Sequence, residues 1–274
     1  MHITSRDNSL LRQARSVRDG KIPEQIFIEG LRLAEEALRS GLEIDAVIFS
    51  EELAHKERAA GVIHQLSKVS TRSASVSEKL LESISYTKTP QGLVLLATRP
   101  NDNVDQLNKN SDSNPLLVVL HQINNPVNVG AVIRTAEAAG AKGIIATKHS
   151  SDPFSPKSLR GAMGSAFRLP VWYGAEYSEV IEWCKSRGVE SVCADASASA
   201  AHTEIDWRKP IALVLGPEST GLSDDEIAMG TMGVRIPMHG EVESLNVSVA
   251  AGILLFEAAR QRMSDMRLSC RELI

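Results

Sequence analysis

The chain has 274 residues, of which 43% are hydrophobic, 23% charged and only 4% aromatic; 30 Lys and Arg against 34 Asp and Glu give a net charge of −4. This length makes two domains or one large one, with core enough to fold without staples, and the charge excludes a polybasic, histone-like binder while leaving room for a local basic face. Cys184, Cys193 and Cys270 form no CxxC, which argues against a disulfide framework or a cysteine-rich zinc site; without a membrane-length apolar run or a signal peptide, a soluble cytoplasmic protein is expected.

The leading segment carries Arg6, Arg12, Arg15, Arg18 and Lys21 beside Asp7 and Asp19, and reads first as a solvated helix face. Ile26–Glu29 predicts a short strand. Leu31–Arg39 follows with helical apolar spacing, stopped by Gly41. Ala46–Phe49 is a second strand, Glu51–Leu66 a helix and Gly92–Ala97 a last strand, together a small α/β unit. Residues 100–115 are rich in Asn, Asp, Ser and Pro with almost no apolar anchor, the composition of a linker. The expected domains are therefore 1–99 and 115–274, with a linker at 100–114.

The second half alternates more strongly. Pro115–Leu120, Gly143–Thr147, Ser191–Ala194, Ile211–Leu215 and Gly233–Ile236 are short apolar runs. Helical stretches fall near Asn128–Ala139, Glu176–Arg187 and Asp224–Met229, and a long one at Asn246–Met266. Unbroken apolar strands alternating with helices point to an α/β fold with a buried parallel sheet. Such sheets place their sites in loops at the carboxyl ends of the strands.

Absences narrow those loops. No G-x-G pair occurs, so a Rossmann dinucleotide fingerprint has no place; HExxH and G-x-S-x-G are missing too. Gly216–Gly221 has the outline of a phosphate loop, yet Leu222 and Ser223 stand where lysine and Ser/Thr belong, and Glu218 repels phosphate. What survives is a turn exposing backbone groups and one carboxylate, or simply a turn that needs glycine. In Asn124–Gly140, Asn128 suits an N-cap and Gly140 a stop. Arg134, two turns on, either snorkels to solvent or presents a planar donor fork to phosphate. In Ile236–Ala251, Ser244 and Asn246 suit helix capping, but capping leaves the polar loop of Met238, His239, Glu241 and Glu243 unexplained.

Taken together, the three segments resemble the motifs of the SpoU/TrmH family of SPOUT-class RNA methyltransferases. N-P-x-N-x-G-x-x-x-R-T-A stands at Asn125 to Ala136, L-G-x-E-x-x-G at Leu215 to Gly221, and I-P-M-x-G-x-x-x-S-L-N-V-S-x-A at Ile236 to Ala250. Ser155–Arg160 and Phe167–Val171 are similar as well. One departure is Asn125, where many members carry Asp. Phe27–Gly30 and Thr87–Gly92 resemble, more loosely, the family's ribosomal-protein-like substrate-binding domain, across residues 20–98.

The resemblance implies an α/β SPOUT catalytic domain with a deep trefoil knot, preceded by a small α/β substrate-binding domain. It implies S-adenosyl-L-methionine (AdoMet) as cofactor, no metal, and a homodimer with its active site at the subunit interface. Gly216, Ile236 and Leu245 would contact AdoMet largely through backbone, with Leu215, Met238 and Asn246 around them. Arg134, Asn128, Glu218, Ser244 and Asn246 form the implied catalytic set. The implied reaction is methyl transfer to an RNA ribose 2′-hydroxyl, where Arg134 either takes the proton or clamps a neighbouring phosphate; a guanidinium resists deprotonation, which favours the clamp. Arg134, Lys157, Arg160 and Arg168, with the leading cations, are the expected RNA contacts. Few aromatics leave little room for base stacking. The leading reading is a 23S ribosomal RNA 2′-O-methyltransferase. The alternatives are a tRNA 2′-O-methyltransferase and a non-catalytic RNA-binding or ribosome-assembly factor of the same fold, which AdoMet binding would separate.

Overall fold

The computed structural model describes residues 1–109 and 113–269, the last six of these by backbone alone. Residues 110–112 of the expected linker, Cys270 and the side chains that end the Asn246–Met266 stretch lie outside the described residues. The chain forms two compact units, one of Met1–Asn101 with Phe154–Arg168, the other of Asp102–Pro153 with Leu169 onward.

The first unit begins with β1 (His2–Ile3), α1 (Ser9–Arg18), β2 (Gln25–Glu29), α2 (Leu31–Arg39) and β3 (Ile44–Ser50). It continues with α3 (Glu51–Ala54), α4 (Glu57–Val69), β4 (Arg72–Val76), α5 (Glu78–Ile84) and β5 (Leu93–Thr98). Its sheet runs β1-β4-β3-β5-β2, with β5 antiparallel to both neighbours. Leu10, Leu11, Ala14 and Val17 form one stripe of α1 and close over Phe27, Ile48, Val94 and Leu96. The expected Glu51–Leu66 helix is two helices, because His55 ends the first and Lys56 begins the second. β4 and α5 escaped the sequence reading; Arg72–Val76 has only two buried residues to mark it.

The remaining elements are α6 (Val104–Asn108), β6 (Leu116–Leu120), α7 (Pro126–Ala138), β7 (Gly143–Thr147), α8 (Pro156–Ala162) and α9 (Ser165–Arg168). After them come β8 (Val171–Ala175), α10 (Tyr177–Ser186), β9 (Glu190–Ala194), β10 (Ile211–Leu215), α11 (Asp224–Met229), β11 (Met232–Val234) and α12 (Val247–Ser269). The second sheet is parallel throughout, in the order β11-β9-β10-β6-β7-β8. β6, β7 and β10 are buried at every residue, as unbroken apolar runs predict for strands covered on both faces. Residues 104–108, read as linker, are a capped helix whose Leu107 is buried beside Leu117 and Trp172. The segment Phe154–Arg168, placed by the sequence boundary in the second domain, packs in the first unit, with α8 against β2.

Candidate active site

Three loops leave the carboxyl ends of β6, β10 and β11, and their residues account for most of the site. After β10 the chain turns through Gly216–Leu222 and enters α11. Glycine is required at 216 because a Cβ there would stand 2.8 Å from the Leu222 backbone nitrogen. Gly221 adopts φ +66°, a conformation glycine reaches without steric cost. Ser223 then caps α11 in a capping box, with Glu226 accepting from the Ser223 backbone N–H.

A cavity of about 370 Å³ opens on this loop, within the range of roughly 300–1,000 Å³ common for small-molecule sites. It gathers Leu215, Gly216, Glu218, Ile236, Met238, Ser244 and Leu245 from the sequence-derived set. Ala194, Asp195 and Ala196, at the end of β9, complete it and were missed, because a single Asp in a Ser/Ala stretch carries no motif. Three carboxylates, Asp195, Glu218 and Glu243, line the cavity, and no Lys or Arg does among the described residues. The site therefore favours a cationic ligand and disfavours phosphate.

Asn128 departs from its expected role. The N-cap of α7 is Asn125, whose side chain accepts from the Val127 N–H at 3.0 Å. Asn128 is buried within the first turn and donates its amide N–H to Glu218 at 2.7 Å. It thus meets the cavity through Glu218, without lining it. Asn246 does cap α12, its side-chain oxygen accepting from the Ser248 N–H at 2.9 Å and from the Ser248 hydroxyl at 2.6 Å. Its neighbours Leu245 and Val247 line the cavity.

Arg134 is exposed and outside the cavity lining. At about 100° per residue, six residues place it about 240° around α7 from Asn128, on the face shared with Val127, which is 45% exposed. Lys157, Arg160 and Arg168 belong to the first unit. Lys157 and Arg160 are exposed, while Arg168 pairs with Glu36. Of the leading cations, Arg6, Arg12 and Lys21 are exposed. Arg15 donates to the Arg6 carbonyl, and Arg18 to Asp19 and the Ser85 carbonyl, so those two brace the fold.

Behind the loop lies a buried polar cluster that no motif announced. His121, 4% exposed, follows β6; its Nε2 lies 2.8 Å from Glu226 Oε1 and its Nδ1 3.0 Å from Thr147 Oγ1. The Tyr177 ring stands 4.4 Å away by centroids, and its hydroxyl donates to the Glu226 carbonyl. Burial works to raise the Glu226 carboxyl, but hydrogen bonds from Ser223 and His121 hold it below the ordinary value. Burial pushes the Cys184 thiol up to about 11 and that of Cys193 upward also, which leaves neither suited to nucleophilic work. No group of His, Cys, Asp and Glu among the described residues could hold a metal ion, and no helix there is long and apolar enough to cross a membrane.

The chain is similar to known proteins. The SpoU rRNA Methylase family profile matches residues 115–256, and an MRM3-like substrate binding domain profile matches residues 11–95. An uncharacterized tRNA/rRNA methyltransferase of Synechocystis is 32% identical over 95% of this chain and 94% of its own. The 23S rRNA (guanosine-2′-O-)-methyltransferase RlmB of Shewanella oneidensis is 31% identical over 88% of this chain and 99% of its own. The crystal structure of an AdoMet-bound rRNA methyltransferase from Sinorhizobium meliloti superposes with a TM-score of 0.83 at 29% identity, covering 95% and 97% of the two chains. The chain belongs to the SpoU rRNA methylase family. Its fold is that of a SPOUT-type α/β catalytic domain preceded by a small substrate-binding domain, as the motifs implied.

Proposed function

We propose that the protein transfers a methyl group from AdoMet to a ribose 2′-hydroxyl of 23S ribosomal RNA. The observation that carries this reading is the cavity, which joins the second and third motif loops, is tied to the first by the Asn128–Glu218 hydrogen bond, and is lined by carboxylates without a compensating cation among the described residues. AdoMet bears a sulfonium and an ammonium against one carboxylate, so its net charge matches that lining. Apolar Leu215, Ile236 and Leu245 suit an adenine and a thioether chain, and the glycine at 216 lets backbone approach the ligand. The named activities of the RlmB relative and the AdoMet-bound neighbour support the same chemistry.

When bound, AdoMet supplies an electrophilic methyl group that the ribose 2′-oxygen takes, the sulfur keeping the bonding electrons and the hydroxyl proton leaving. Asn128 fixes Glu218 by the 2.7 Å hydrogen bond, so the loop is held in shape before substrate arrives. Asn246 holds the start of α12 and with it Ser244 and Leu245. Arg134 clamps a phosphate beside the target ribose and orients the hydroxyl; alignment of this kind supplies up to about 7–11 kcal/mol of barrier lowering.

Arg134 does this in a homodimer. Val249, Ile253, Phe256 and Met263 recur at helical spacing along α12 and are 51%, 37%, 53% and 52% exposed. Beside them α7 presents Val127, Arg134 and Ala138 to solvent. An apolar stripe of this length marks a protein interface, and a second copy would cover it while bringing Arg134 to the shared site. Lys157 and Arg160 add positive charge toward RNA, and the reaction belongs in the cytoplasm with the ribosome. Mapping 2′-O-methylation across total RNA with and without the protein tests the reading. One ribose in 23S rRNA losing its methyl group supports it; loss at a tRNA ribose, or no change, overturns the rRNA assignment.

A further inference from the structure

His121 joins the first motif loop to the second. Its backbone N–H donates to the Leu215 carbonyl at 2.9 Å, tying the ends of β6 and β10. The next residue, Gln122, sits at φ +53°, a conformation uncommon for a non-glycine side chain. Thr147 Oγ1, already beside His121 Nδ1, accepts the Gln122 N–H at 3.3 Å and holds that turn. On the other side of the imidazole stands Glu226. A carboxylate accepts only, so Nε2 donates to Glu226 Oε1, while Nδ1 stands within hydrogen-bond distance of Thr147 Oγ1. Glu226 uses its other oxygen to close the capping box on Ser223, the residue after the cavity loop.

α11 has no fully buried residue. Ile227 and Met229 pack against the core only partly buried, so polar ties add to the placement of α11. The loop 216–222 runs between two such ties, Asn128 to Glu218 at one end and His121 to Glu226 at the other. We propose that His121, acting through Glu226, is a positioning residue for the methyl donor: it fixes the closed course of residues 216–222 and so sets cofactor affinity. This rests on the reading of the cavity as the AdoMet site. His121 lies outside the cavity lining, and its effect travels through α11.

The test is a double-mutant cycle read by isothermal titration with AdoMet and by steady-state kinetics. His121→Phe keeps the ring against Tyr177 and removes both hydrogen bonds; Glu226→Ala removes the other partner at a half-buried surface position. Each single variant is expected to weaken AdoMet binding about tenfold, with kcat lowered less than KM is raised. The double variant is expected to match Glu226→Ala, which loses the capping box as well, since the His121 tie is already broken in it. Glu226→Gln, which keeps an acceptor and a capping-box residue, is expected to restore most of the affinity. Unchanged affinity in Glu226→Ala, or effects that multiply in the double variant, overturns the proposal. Should His121→Phe fail to fold, Glu226→Ala against Glu226→Gln decides alone: equal affinities reject the tie. A wild-type protein that binds no AdoMet would instead defeat the assignment of the cavity itself.

Discussion

Asn128 and Glu218, ninety positions apart, meet through a single hydrogen bond of 2.7 Å between a buried amide and an exposed loop carboxylate. Two motifs that look like separate helix and turn signals are thereby one device. Removing the donor leaves Glu218 unrestrained. Asn128→Ala is expected to weaken AdoMet binding about tenfold, the size of one hydrogen bond to a charged group. Asn128→Asp is expected to weaken it further, because two carboxylates then face each other. Titration calorimetry on both variants checks the order.

Arg134 faces away from its own cavity, which separates its role from cofactor binding. Arg134→Ala is expected to lower kcat by at least about 100-fold through lost alignment, with AdoMet affinity within about twofold of wild type. Arg134→Lys keeps the charge and loses the planar fork, so it is expected to rescue little. Single-turnover kinetics alongside titration distinguishes these outcomes from a general loss of folding.

The α12 stripe predicts a defined assembly. Phe256→Glu places a charge at the centre of the exposed apolar face, and burying it unpaired in an interface is costly. Light scattering after size exclusion is expected to show a dimer for the wild type and a monomer for the variant, with turnover lost in parallel. A wild-type monomer retaining full activity would contradict the interface.

Glu257 gives a pH-dependent stability term. Arg260 and Gln261 donate to its carboxylate, and the Arg260 hydrogen bond chiefly holds its pKa down to about 2 from 4.5. A carboxyl depressed in the fold stabilises the protein above pH 4.5, and that contribution fades as pH falls toward about 2. Arg260 is 64% exposed, so solvent screens the pair and its contribution is small. Glu257→Gln is expected to be less stable than wild type at pH 7 and equal to it near pH 2, by urea denaturation at each pH.

Much of this molecule was legible in one sequence. The buried strands of the second sheet were marked by unbroken apolar runs such as Leu116–Leu120 and Ile211–Leu215. Gly216 and Gly221 marked the cavity loop through backbone geometry that only glycine meets easily. Local rules failed where partners were distant. Asn128 sits where a cap is plausible, yet Asn125 is the better cap, since Pro126 after it suits the first helical position. Nothing near His121 announces Glu226, 105 residues on. The basic stretch read as one face divides by burial, with Arg15 and Arg18 turned to backbone carbonyls. Phe154–Arg168 packs with the first unit, α8 lying against β2 with its Leu159 and Ala162 buried, a choice that composition does not record.

The most direct measurement follows the label. Purified protein is incubated with unmodified 23S rRNA and methyl-labelled AdoMet, and the RNA is then hydrolysed in alkali. Cleavage needs a free 2′-hydroxyl, so a methylated ribose survives as a resistant dinucleotide. Label confined to resistant dinucleotides, and absent with Arg134→Ala, is the expected result. Label in mononucleotides, or none transferred by a protein that binds AdoMet, would contradict ribose methylation at this site.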